Sequence, residues 1–158
     1  MAALADWNFR QTAGQFARPG YQIEGELTAE QLPRIASDEV QVGTVHAAVQ
    51  ALPASTARRP GLTVAVQGVL GLTCQSCGVA FDQPVRSETT IFVARDAAEL
   101  ETWEALQLQT DASFESIEAQ DKTSALELVE DELLLSVPYV PRCPECAASP
   151  TPRIHEFA

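Results

Sequence analysis

The chain has 158 residues, a length that suits one domain. It carries 22 acidic and 10 basic residues, only one of them a lysine, so the net charge is −12. Because nucleic-acid binding depends on Lys and Arg to neutralise phosphates, this composition argues against a general RNA-binding protein. The sequence has no run of about 18 apolar residues that could span a membrane. It also shows no signal peptide, so we expect a cytoplasmic protein.

The N-terminal part of the chain predicts an arm followed by a strand and a short helix. The arm carries three aromatic residues, which suggest that it docks onto the domain: Trp7, Phe9 and Phe16. Alternation over residues 21–27 predicts a short strand. A capping-box pattern over residues 28–31 predicts a short helix with Leu32 and Ile35 inward. Pro33 opposes this helix, because proline removes a backbone donor and clashes one turn back.

Three stretches of alternating apolar residues predict antiparallel strands over residues 40–52, 62–72 and 85–93. His46 lies in the first strand, on the face opposite Val45 and its apolar neighbours. Gly68 and Gly71 lie in the second strand and are candidate bulge positions. Because a Cys-x-x-Cys pair separates the second strand from the third, the two are predicted to form a hairpin whose turn binds metal.

The C-terminal half predicts one strong helix. Residues 97–104 predict a helical turn anchored by Trp103, and Leu106, Leu108 and Phe114 are predicted to lie in short extended pieces. The strongest helical pattern covers residues 123–137 and ends at a proline. Its apolar stripe is predicted to comprise Leu126, Val129, Leu133 and Val137, with Leu134 beside them. The opposite face is acidic and is expected to be solvated.

All four cysteines lie in two Cys-x-x-Cys pairs, Cys74 with Cys77 and Cys143 with Cys146. Two such pairs on distant segments supply the four thiolates of a tetrahedral zinc site. We therefore predict a structural Zn²⁺ ion, which requires residues near 75 and 145 to meet. Four thiolates also suit iron. A closed site of this kind leaves no open position for a substrate.

The cysteines have two alternative interpretations. Cys143-Pro-Glu-Cys146 resembles a thioredoxin-type dithiol, although that motif normally opens a helix after a strand. His155 is a second alternative, as a replacement for one cysteine at the metal. With two histidines, no glycine-rich phosphate loop and no serine nucleophile motif, the chain offers no positive sign of an enzyme. We expect no catalytic activity.

Negative charge is concentrated in residues 96–132, which hold 12 acidic residues and a single base, Lys122. Four carboxylates on the predicted helix are candidate contacts for a basic protein: Glu127, Glu130, Asp131 and Glu132. The alternative is that the acidic residues form a solvated surface without a partner. Arg58 and Arg59 form a basic doublet in a predicted loop and are a candidate RNA-phosphate contact; the alternative is two exposed arginines.

Two segments resemble the YceD family, the large ribosomal RNA subunit accumulation proteins. In residues 68–85 a strand runs into Cys-Gln-Ser-Cys and is followed by a Phe and a Pro-Val step. In residues 128–143 the run Glu-Asp-Glu-Leu-Leu-Leu is followed by Pro-Tyr-Val-Pro and the second cysteine pair. The helix opening at Thr28 and its approach from Tyr21 also resemble the family's N-terminal part, so the resemblance covers about residues 10–146. The order and spacing of the motifs make it specific.

The resemblance implies a non-catalytic ribosome biogenesis factor that supports processing or accumulation of large-subunit (23S) rRNA. It also implies that the four cysteines are metal ligands with a structural role. Combined with the charge, it indicates a basic large-subunit ribosomal protein or a pre-ribosomal particle as the partner. Direct rRNA binding and dithiol oxidoreductase activity remain as alternatives.

These elements predict an α+β fold. An antiparallel sheet of three or more strands would carry a long C-terminal helix, with a zinc ribbon-like site of two knuckles at one end. We place a single domain at residues 21–146, an N-terminal arm at 1–20 and a flexible C-terminal tail at 147–158.

Overall fold

A computed structural model describes residues 6–36, 40–53, 60–109 and 115–148, with side chains left out for 107–109. The strands and helices follow one another along the chain as β1 (Arg10–Thr12), α1 (Ala13–Phe16), β2 (Gln22–Leu27), β3 (Gln41–Val42), β4 (Val45–Ala51), β5 (Gly61–Thr73), β6 (Ala80–Ala94), α2 (Ala97–Gln109), β7 (Glu115–Glu118), β8 (Lys122–Ser124), α3 (Ala125–Ser136) and α4 (Pro144–Ala148).

One sheet organises the molecule, with strands in the order β2-β4-β5-β6-β7 and β3 paired to β5. All pairs of adjacent strands in this sheet are antiparallel, except that β6 and β7 are parallel to each other. Parallel neighbours need a long connection, and α2 lies in it. The α+β class and the predicted antiparallel strands are thus confirmed, while the parallel strand β7 was not predicted.

The hairpin of β5 and β6 is the longest unit, an antiparallel ladder that runs unbroken through all 13 residues of β5. The prediction that Gly68 and Gly71 mark bulges in this strand is therefore wrong. The pairing register instead shifts by one residue in the segment that joins β3 to β4. A Cβ atom on Gly68 would lie 3.2 Å from the carbonyl oxygen of Thr44 in that segment, so a glycine suits this close approach.

One face of the sheet is buried beneath α3. Alternate residues of the three central strands form this face: Val45, Ala47, Val49, Leu62, Val64, Val66, Leu70, Leu72, Val85 and Ile91. The period-2 pattern read from the sequence is confirmed, because successive strand residues point to opposite sides. His46 lies on the other face, exposed, with its Nε2 atom 2.8 Å from Oε2 of Glu24.

The predicted long C-terminal helix is shorter than expected. α3 has 12 residues and begins after Ser124, whose Oγ accepts a hydrogen bond from the backbone N–H of Glu127. Its predicted start at Thr123 lies in β8 instead, which pairs with β1.

The predicted stripe of α3 is confirmed: Val129 and Leu133 are fully buried, and Leu126 and Val137 pack against the core. Leu128 is buried beside them, whereas Leu134 is 42% exposed. Leu134 follows Leu133 by one position along the helix, so its side chain points about 100° away from the buried stripe.

The N-terminal segment packs into the core. Trp7 and Phe16 are buried in the main cluster, as the docking prediction requires, while Phe9 is 56% exposed. The capping box at Thr28 forms, but it opens only a 3₁₀ turn before Pro33. The domain limits at residues 20 and 146 stay predictions, and the tail beyond residue 148 lies outside the described residues.

The helix α2 is longer than the sequence predicts. It extends to residue 109 instead of ending as a single turn, so Leu106 and Leu108 are helical and not extended. Helix-favouring Ala, Leu, Glu and Gln dominate the segment, which explains its length. Trp103 is buried and anchors the helix as predicted, and Phe114 lies outside the described residues.

Candidate metal centre

The four cysteines meet at one end of the β5–β6 hairpin. Their four Sγ atoms all lie within 4.8 Å of one another. The Sγ atoms of Cys77 and Cys143, which belong to different pairs, are 3.8 Å apart. A tetrahedral site with Zn–S bonds of 2.3 Å needs sulfurs about 3.8 Å apart. The cluster therefore fits one shared metal ion, and the predicted meeting of residues near 75 and 145 is confirmed.

The first cysteine pair lies on the turn between β5 and β6. The N–H of Cys74 donates to the carbonyl oxygen of Val79, and the N–H of Gly78 donates to that of Cys74, both at 2.9 Å. Gly78 has φ +78°, a conformation that residues with a Cβ rarely adopt. The tight turn holds both thiols of this pair on the side that faces the C-terminal segment.

The second pair lies at the start of α4. The N–H of Ala147 donates to the carbonyl oxygen of Cys143 at 2.9 Å. Residues three apart share a helix face, so Cys143 and Cys146 point together. The N–H of Gln75 donates to the carbonyl oxygen of Pro141 at 2.8 Å, which ties this segment directly to the hairpin turn.

The electrostatics of the cluster favour a bound cation. A backbone hydrogen bond from Cys143 lowers the pKa of Cys74 to about 6. The hydrogen bond with the thiol of Cys143 raises the pKa of Cys146 to about 12. The thiol of Cys74 therefore deprotonates readily, and deprotonation of Cys146 is opposed. Four thiolates can coexist there only with a shared cation, because metal binding drives the deprotonation of its ligands.

Exposure differs among the four ligands. Cys74 and Cys143 are buried, at 2% and 7% exposed, whereas Cys77 is exposed and Cys146 is intermediate. All four sulfurs converge on one point, so a metal held by them would have no open coordination position, which is the pattern of a structural site. His155, the alternative ligand, lies outside the described residues, as do Arg58 and Arg59.

The carboxylates predicted as partner contacts are engaged within the chain. Glu130 is 2% exposed, and its Oε2 accepts a hydrogen bond from the N–H of Arg34 at 3.2 Å. Glu132 is 5% exposed and accepts hydrogen bonds from the hydroxyls of Ser87 and Thr89. The expectation of a solvated acidic face is therefore wrong for Glu130 and Glu132. Glu132 lies one turn after the buried Leu128 and faces the sheet, where the two hydroxyls satisfy it.

The other two carboxylates of α3 form ion pairs. Glu127 lies 2.7 Å from Arg10, and Asp131 lies 2.7 Å from the guanidinium of Arg34. Arg34 has a raised pKa, mainly because of its hydrogen bond to Asp131. A sequence signal for the buried pairing existed: Ser87 is a hydroxyl residue on the inward face of β6, where an apolar residue is the rule.

A different set of carboxylates is exposed around α2. We define the acidic surface as Asp96, Glu101, Glu104, Glu115 and Asp121, which are all exposed. Within the described ranges no ion pair engages Glu101 or Glu104. Arg95, which precedes α2, forms an ion pair with Glu99 of that helix at 3.4 Å.

The fold and the cluster define a small α+β protein whose four cysteines could hold one metal ion. The chain belongs to the family described as large ribosomal RNA subunit accumulation protein YceD, whose model matches residues 62–156. This range contains the long hairpin, α3 and all four cysteines, so the resemblance read from the sequence is confirmed. The family description connects the protein to accumulation of the large-subunit rRNA.

Comparison with curated proteins and with solved structures identifies no further relative: neither a curated protein nor a solved structure matches the chain significantly. Across the described ranges, no helix is long and apolar enough to cross a membrane.

Proposed function

We propose that this protein is a non-catalytic factor that supports accumulation of the large-subunit rRNA by binding a basic large-subunit ribosomal protein or a pre-ribosomal particle. Membership of the YceD family is the observation that carries the ribosomal role. The exposed carboxylates around α2 support the basic character of the partner, because complementary charge speeds and selects association.

The contact surface of this proposal is the acidic surface and not α3. The carboxylates of α3 are buried or paired with Arg10 and Arg34, so they would have to exchange existing partners to bind another protein. Glu101 and Glu104 need no such exchange. Binding through them should weaken steeply as salt increases, because exposed charges are screened.

We also propose that the metal is a structural zinc ion held by Cys74, Cys77, Cys143 and Cys146. When bound, the ion supplies a cross-link between the hairpin turn and the C-terminal segment. The cysteine cluster and the hydrogen bond from Gln75 to Pro141 together fix where the chain leaves α3.

A charge-reversal experiment tests the partner surface. The variant Glu101→Lys/Glu104→Lys is compared with Glu26→Lys/Glu88→Lys, which changes the net charge equally on the open face of the sheet. The probes are individual ribosomal proteins purified from large subunits. We expect the first variant to bind its basic partner about 5- to 50-fold more weakly, because like charges brought together across an interface repel each other. The second variant should bind like the unmodified chain.

Two results would contradict the proposal: no binding of any large-subunit protein, or an equal loss in both variants. Binding of naked large-subunit rRNA with a steep salt dependence, lost in Arg58→Ala/Arg59→Ala, would favour the direct RNA-binding alternative instead.

A further inference from the structure

The sulfur atoms of the cysteine cluster are close enough to form a disulfide. All four Sγ atoms lie within 4.8 Å of one another, and those of Cys77 and Cys143 are 3.8 Å apart. A disulfide bond is about 2.05 Å long, so these two sulfurs would have to approach each other by about 1.8 Å. Because they belong to different Cys-x-x-Cys motifs, a bond between them would cross-link the hairpin turn to the segment that leads into α4.

Solvent reaches the four cysteines unequally. Cys77 is exposed, whereas Cys74 and Cys143 are buried and Cys146 is intermediate. An oxidant that arrives from solvent therefore meets Cys77 first. An accessible thiolate beside a second cysteine is the arrangement found in thiols that sense oxidants. A metal ion in the cluster would keep its ligands deprotonated, so Cys77 would then be available as a thiolate.

A backbone contact holds the two motifs together independently of their sulfur atoms. The N–H of Gln75 donates to the carbonyl oxygen of Pro141 at 2.8 Å. This hydrogen bond uses no thiol, so it can persist when the sulfurs change partners. The sulfurs of Cys77 and Cys143 are thereby kept near each other, and this proximity favours a bond between the two motifs.

We propose that Cys77 is a site of oxidation by hydroperoxides and that it forms a disulfide with Cys143. In the first step, the sulfur of Cys77 attacks the hydroperoxide; an S–O bond forms, the O–O bond breaks, and an alcohol or water leaves. In the second step, the sulfur of Cys143 attacks that of Cys77; the S–S bond forms, the S–O bond breaks, and the oxygen leaves as water. The two sulfurs supply the two electrons that reduce one hydroperoxide, and the two protons come from the thiols or from water.

Oxidation would replace one cross-link by another. Only Cys74 and Cys146 would remain as ligands, which is too few for a four-thiolate site, so a bound metal would leave. The disulfide joins the same two segments, so the C-terminal segment stays attached in the oxidised chain and separates only in the reduced, metal-free chain. This inference depends on the cysteine cluster and not on the identity of the partner.

The test adds hydrogen peroxide to the full chain purified with its metal and maps the product by mass spectrometry without reduction. We expect two of the four thiols to be lost, with the bond between Cys77 and Cys143 as the main product. Cys77→Ser and the matched control Cys146→Ser each leave three sulfurs. The control should still form the bond, whereas Cys77→Ser should lose its thiols at least about 10-fold more slowly, because its remaining sulfurs are less accessible.

Hydrogen exchange reports whether the C-terminal segment stays attached. In the reduced chain treated with a chelator, exchange in residues 137–148 should quicken by about 10-fold or more, because the segment has lost its cross-link. In the oxidised chain it should stay within about threefold of the rate in the metal-loaded chain. If neither variant folds, the disulfide map and the exchange rates of the unmodified chain decide the inference by themselves.

Three results would overturn the inference. The first is a disulfide within a motif, between Cys74 and Cys77 or between Cys143 and Cys146, as the main product. The second is rapid exchange of residues 137–148 in the oxidised chain. The third is a set of thiols that resist peroxide under conditions that oxidise free cysteine. None of these results bears on the proposed ribosomal role, which the binding experiments decide.

Discussion

The two ends of the β5–β6 hairpin are held by different physical means. At the turn, four sulfurs and one backbone hydrogen bond attach the C-terminal segment. At the opposite end, α2 is anchored by packing, with the ring of Trp103 edge-on to that of Phe92 at 6.4 Å between centroids. Apolar packing persists as long as the fold does, whereas the proposed metal cross-link would depend on an exchangeable ion. On that proposal, one end can be released without the other.

Removal of the metal should produce the largest difference between the two ends of the hairpin. At free zinc about 1,000 times its dissociation constant, binding contributes about 4 kcal/mol to the free energy of unfolding. Chelation, or the variant Cys74→Ser/Cys143→Ser, should remove that amount in urea denaturation. Hydrogen exchange should quicken in residues 74–78 and 137–148 and stay unchanged in α2.

The cysteine variant is its own control, because a chelator should not affect it further. Purified protein should contain one zinc ion per chain. Equal acceleration of hydrogen exchange at both ends would show that the metal supports the whole fold and would end the contrast between them.

Packing of α3 gives the next largest effect and can be tested with two leucines on one helix. Leu133 is fully buried and Leu135 is 71% exposed. Leu133→Ala should lower the free energy of unfolding by about 2–5 kcal/mol, because it leaves a cavity in the core. Leu135→Ala should change it by less than about 0.5 kcal/mol. Similar costs for both, measured in urea, would contradict the helix phase described above.

Removal of the buried carboxylate of Glu132 in α3 should have the smallest effect on the free energy of unfolding. Glu132→Ala should cost about 1–3 kcal/mol, because the hydroxyls of Ser87 and Thr89 lose their acceptor. Asp131→Ala, at the neighbouring exposed position, should cost less than about 1 kcal/mol because surface ion pairs contribute little. Thermal unfolding of the two variants distinguishes them. A Glu132 variant of unchanged stability that binds the partner poorly would restore this residue to the contact surface.

The predictions from sequence succeeded where the signal is local. Alternation placed the buried faces of β4, β5 and β6, and the capping box at Thr28 formed as expected. The buried positions Val129 and Leu133 of α3 were also predicted correctly, whereas its length was overestimated and Glu130 and Glu132 were expected to be solvated. Apolar residues form most of the inward side of this helix, and tertiary contact with two hydroxyls satisfies Glu132 among them.

By itself, the sequence determined the strand alternation, the two cysteine pairs and the concentration of negative charge. These depend on residues close together along the chain and on the intrinsic chemistry of thiols and carboxylates. Only the tertiary structure decided that β7 adds in parallel, that Glu130 and Glu132 are buried and that a groove forms between Leu72 and Pro141. Each of these brings together segments distant in sequence, and burial in a packed fold reverses the solvated state that an isolated carboxylate prefers.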